Sequence, residues 1–187
     1  MKKVRMRRYL IAAVSLLTIS LSAPNAIADV KAEPNQRDVV AARTTQQPDP
    51  SAPRLELRPG VGSDRPATTF GATAVTATYL PFTFTYNLST SMYSSNFMPS
   101  SSGSVCVNLR ATGSTDPNYW MKQLKVDIYD WTPFPDVKVG PTVRYYLDGY
   151  YYGYCWYGLH PYHEHYFRLS KDWGPATVWG DGWAAPY

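Results

Sequence analysis

Apolar and polar residues alternate in short runs along the second half of this 187-residue chain. Phe82, Phe84, Tyr86 and Leu88 alternate with Thr83, Thr85 and Asn87. Val105, Val107 and Leu109 alternate with Cys106, Asn108 and Arg110, and Leu124, Val126 and Ile128 with Lys125, Asp127 and Tyr129. Successive side chains on a strand point to opposite faces, so a period of two with one apolar set predicts half-buried antiparallel strands. Turn-forming stretches separate the runs: Pro99 to Gly103, Gly113 to Asn118, Thr132 to Asp136 and Ser170 to Gly174. Ala176 to Trp179 reads as a last strand before Gly180-Asp181-Gly182. No stretch combines a helical period with caps. About seven or eight short strands at this spacing predict an all-β fold, an antiparallel β-sandwich over residues 67–187.

The pattern is densest from Pro141 to Leu169. Thr142 to Leu147 and Tyr150 to Tyr157 flank Asp148-Gly149, a strong hairpin signal because a type I′ turn needs positive φ at both central residues. That hairpin would set Tyr146 opposite Tyr151. One face would carry Val143, Tyr145, Leu147, Tyr150, Tyr152, Tyr154 and Trp156 toward the core. The other would carry Cys155 beside an exposed strip of Tyr146, Tyr151 and Tyr157. Cys106 falls on the outer face of its own run. The chain's two cysteines are therefore expected to form one outward-facing disulfide, Cys106–Cys155.

Composition divides the chain. Residues 1–28 carry a basic start (Lys2, Lys3, Arg5, Arg7, Arg8), an apolar run and Ala26-Ile27-Ala28, the pattern of a cleaved signal peptide. Arg7-Arg8 leaves both the general and the twin-arginine export routes open. Residues 29–66 contain no aromatic residue, balance six basic against six acidic side chains, and include Pro34, Pro48, Pro50, Pro53, Pro59 and Pro66. Such a stretch offers little apolar surface against its ordering entropy, so it reads as disordered, either a spacer or a pro-segment. Every aromatic residue except Tyr9 lies beyond it.

Charge changes meaning once the signal is set aside. The chain has 18 basic and 14 acidic residues, but five of the basic ones lie in residues 1–28. The remainder is nearly neutral, which gives no electrostatic case for a nucleic-acid partner. The one long apolar run belongs to the signal, so no integral membrane segment is expected in the mature chain. The expected location is extracellular, and the expected source bacterial.

Three functional readings follow. Flat tyrosines with a polar tip suit stacking against a glycan or cell-envelope polymer, so the leading reading is a secreted non-catalytic binding module using Tyr146, Tyr151 and Tyr157. The alternative is a metal-dependent or hydrolytic enzyme built on His160, His163 and His165, because imidazoles two apart on a strand share a face. That cluster lacks a clear fourth ligand, and no cofactor is expected. No nucleophile elbow or phosphate-cradling loop is present. A secreted toxin or bacteriocin-like effector is the third reading.

Overall fold

The alternating runs are strands, and the chain before them contributes strands as well. The computed structural model describes residues 37–59, 77–119, 122–132 and 135–187. The expected signal peptide (1–28), both ends of the expected linker (29–36 and 60–66) and residues 67–76 lie outside the described residues. In chain order the strands are β1 (Val39–Val40), β2 (Ala42–Arg43), β3 (Arg54–Leu55), β4 (Leu57–Pro59), β5 (Thr78–Tyr79), β6 (Phe82–Leu88) and β7 (Ser91–Ser94). They continue as β8 (Phe97–Met98), β9 (Ser104–Ser114), β10 (Gln123–Asp130), β11 (Val137–Tyr146), β12 (Tyr152–Tyr157), β13 (His165–Lys171) and β14 (Val178–Ala185). Among the described residues there is no α-helix, only a 3₁₀ turn at Pro117–Tyr119.

Two sheets result. An eight-stranded sheet runs β1-β11-β10-β13-β7-β4, with β8 also against β13 and β5 against β8. A six-stranded sheet runs β2-β12-β9-β14-β6-β3. Their apolar faces share one core. Phe84, Val107, Leu109 and Trp156 come from the six-stranded sheet, and Val126, Ile128, Val143, Tyr145 and Phe167 from the other. The Phe84 and Phe167 rings lie 5.0 Å apart. The Tyr145 hydroxyl, fully buried, donates to the Val107 carbonyl at 2.8 Å, so the one polar atom this ring brings into the core is paired. Burial pushes the Tyr145 phenol well above its ordinary pKa.

Three expectations are corrected. The sheets are mixed, because the short strands β1, β3 and β5 lie parallel to β11, β6 and β8. Residues 37–59, read from composition as disordered, carry four strands. Their backbone groups pair with part of each sheet edge, and Ala41 and Leu55 reach the core with Val39 and Leu57 packed against it, so edge hydrogen bonds and a few apolar anchors together supply the order that composition did not reveal.

The third correction concerns Asp148-Gly149. Gly149 does adopt positive φ (87°), but the turn carries the chain from one sheet to the other. The two strands a hairpin would join have other neighbours, β10 beside β11 and β9 beside β12. Leu147 N–H donates to the Lys122 carbonyl at 3.0 Å, and the Tyr151 carbonyl accepts from Thr44 N–H at 2.9 Å. The Asp148 carboxylate accepts from Tyr150 N–H at 3.2 Å and from the Tyr152 hydroxyl at 2.7 Å. Tyr146 and Tyr151 are therefore not cross-strand partners.

Candidate functional site

The six-stranded sheet turns Val105, Val107 and Leu109 of β9 inward, so Cys106, Asn108 and Arg110 point away from the core. Register extends these outward positions across the neighbouring strands. Cys106 lies directly opposite Cys155 on one side and Ala185 on the other. The two cysteines are bonded, which makes the disulfide a link between adjacent strands on the outer face. The next row holds Gly153, Asn108 and Trp183, and Arg110 and Asp181 pair in the row after that.

A groove of about 700 Å³ opens on this face, with Cys106, Cys155 and Asn108 among its lining residues. Tyr157 and Tyr187 line it too, their rings edge to face at 5.2 Å. Tyr157 is 58% exposed and Tyr187 more so. The Tyr187 amide donates to Ser104 Oγ at 3.4 Å, which ties this terminal residue to the start of β9. Thr44 and Gln46, from the stretch after β2, supply polar groups to the groove. Exposed aromatic rings beside hydroxyl and amide groups can stack on the C–H face of a pyranose while bonding its hydroxyls.

The three tyrosines expected to form one strip are separated. Tyr157 belongs to the groove. Tyr146 ends β11 in the other sheet, with its ring 5.6 Å from Tyr152. Tyr151 is buried. Its hydroxyl donates to Asp181, its ring meets Trp183 edge to face at 4.8 Å, and the Arg110 guanidinium lies 4.5 Å above it. Burial and the Asp181 hydrogen bond push the Tyr151 phenol up to about 12. Arg110 Nε donates to Asp181 Oδ1 at 3.0 Å, closing a Tyr–Asp–Arg network. Tyr187 was missed because a terminal residue carries no pattern. Its only signal was an aromatic after Pro186.

The histidines also divide. β13 begins at His165, so His163 lies before the strand and the two-residue spacing does not align the rings. His165 is fully buried, whereas His163 is exposed and its ring stacks on His160 at 3.7 Å. His163 Nδ1 lies 2.9 Å from Asp130 Oδ2. Nδ1–H of His165 donates to the His163 carbonyl at 2.9 Å, which leaves Nε2 buried, unpartnered and 4.0 Å from Asp130 Oδ1. Burial lowers the His165 pKa, and the nearby Asp130 charge opposes that shift. Among the described residues, no three His, Cys, Asp or Glu side chains are grouped to hold a metal ion.

Comparison of the chain with protein-family models, with curated proteins and with solved structures finds no match.

Proposed function

We propose that the chain is a secreted, non-catalytic β-sandwich that binds a glycan or cell-envelope polymer on the outer face of its six-stranded sheet. The observation that carries this reading is the exposed Tyr157–Tyr187 pair at the groove beside the Cys106–Cys155 bridge. The disulfide fixes β9 to β12 at the groove floor, so the stacking surface sits on a rigid base. Export fits this reading, because a disulfide persists in an oxidising compartment.

The test is co-sedimentation of the mature protein with purified cell walls and insoluble polysaccharides. Tyr157→Ala and Tyr187→Ala should each weaken retention about tenfold, the loss of roughly one stacking contact. Retention unchanged in both variants, or absent for every polymer with the wild-type protein, would sink the reading.

A further inference from the structure

The connection between β2 and β3 begins and ends on one cross-strand row of the six-stranded sheet. In that row Gly153 pairs with Asn108, Asn108 with Trp183, and Trp183 with Thr83. At one end, the Thr44 methyl lies 3.7 Å from where a Cβ on Gly153 would sit. At the other, the Pro53 carbonyl accepts from Thr83 N–H at 2.8 Å. Residues 45–52 link these two ends, and Gln46 lines the same groove as Asn108. Asn108 and Trp183 point away from the core, yet each is only 4% exposed.

The covering segment is weakly suited to its position. It contains no aromatic residue and is mostly exposed itself. Its hydrogen bonds are partly internal: Ser51 N–H donates to Asp49 Oδ1 at 2.8 Å, and Ala52 N–H to the Asp49 carbonyl at 3.1 Å. It also leaves Asn108 Nδ2 buried with no hydrogen-bond partner among the described residues. An unpaired buried amide is costly and is relieved by any acceptor placed against it. On the same face of the sheet, Trp183 and Tyr151 form an aromatic shelf outside the core.

We propose that residues 44–53 are a displaceable strap over a second part of the binding site, and that Asn108, Trp183 and Tyr151 receive a pyranose unit of the polymer when it lifts. The sugar's C–H face stacks on Trp183, and a ring hydroxyl accepts from Asn108 Nδ2. The inference rests on the polymer-binding reading above. A site covered in the resting state binds with its intrinsic affinity reduced by the fraction of open molecules.

The test uses the full chain with residues 47–52 exchanged for a glycine–serine run of equal length, which leaves the groove residues Thr44 and Gln46 in place. Pro48→Gly combined with Pro50→Gly provides a milder second form. Acrylamide quenching of tryptophan fluorescence, with Trp183→Phe to isolate the share of residue 183, reads strap opening without any ligand. Calorimetry with cellohexaose and chitohexaose reads binding. Both strap variants should make Trp183 quenchable and tighten oligosaccharide binding, by about tenfold for the full exchange. Adding Trp183→Ala should abolish that gain. The proposal is overturned if Trp183 stays shielded in both variants, or if it opens with no gain in a protein that binds oligosaccharide. If Trp183 opens but no form of the protein binds either oligosaccharide, the pyranose site under the strap is overturned, while the polymer-binding reading stands or falls by the co-sedimentation test above.

Discussion

At the scale of single residues, environment decides what each side chain can do, and His165 shows this most sharply. Its ring is fully buried, with Nδ1–H held by the His163 carbonyl and Nε2 unpartnered. The charged and titratable groups facing it are Asp130, His163 and His160; burial, with a smaller push from the two histidines, outweighs the Asp130 charge and the His163 carbonyl hydrogen bond and lowers its pKa. The folded protein therefore resists a proton that the unfolded chain accepts near the ordinary histidine value of about 6.5. Stability is highest above that value and falls as the pH drops toward the depressed folded pKa. Urea midpoints at about pH 7.5 and about pH 5 should differ in this direction, and the difference should shrink in His165→Gln. An equal slope in that variant would assign the effect to other groups. Glycine is a second example of context overriding residue type. Gly180 and Gly182 lie beyond the last strand expected from sequence, Ala176 to Trp179, but both fall inside β14. A Cβ at Gly180 would sit 2.0 Å from the Arg110 carbonyl oxygen, so the residue permits close strand approach where the strand was expected to have ended.

At the scale of elements, alternation within a strand was legible and pairing between strands was not. β6 occupies Phe82–Leu88, where the alternating run predicted it, because an unbroken period of two fixes which side faces the core. Of the inward set expected across Asp148-Gly149, Val143, Tyr145, Leu147, Tyr152, Tyr154 and Trp156 do face the core, whereas Tyr150, which precedes β12, is half exposed. Which strand lies alongside which depends on distant backbone groups. Thr44 takes the Tyr151 carbonyl, and Lys122 takes the Leu147 amide, so the turn that locally favours a hairpin bridges the two sheets. The aromatic strip inferred from that hairpin was lost with it, whereas Cys106 and Cys155 still meet, on β9 and β12. Their sequence separation is 49, for which the chain-entropy model gives about 4 kcal/mol. Cys106→Ala combined with Cys155→Ala should lower the unfolding free energy by an amount of that order, measured by urea titration. Because the bridge joins strands that are already paired, a loss below about 1 kcal/mol would mean that the ladder alone holds the groove floor together.

At the scale of the whole molecule, the least promising stretch of the sequence solves the fold's main exposure problem. Composition could not reveal this, since edge pairing uses backbone groups that every residue except proline carries in full. Residues 39–59 supply β1 and β4 at the two ends of the eight-stranded path, and β2 and β3 at the two ends of the six-stranded sheet. Without them, β11, β7, β12 and β6 would present open rows of N–H and C=O groups. Such rows are templates for pairing with another chain. The covering strands are two or three residues long, and Pro59 closes the last of them with a position that has no N–H to donate. A chain beginning at Gly60 keeps every residue of β6 to β14, so its core residues are intact apart from Ala41, Leu55 and partners such as Val39 and Leu57. It should fold to the same strand content yet associate, with a mass by light scattering that rises with concentration while a chain that keeps residues 37–59 stays constant. If the truncated chain remains at constant mass over the same range, the edges are protected by something other than residues 39–59. If it instead loses its strand signal by circular dichroism, the segment is part of the folding unit rather than a cover for it.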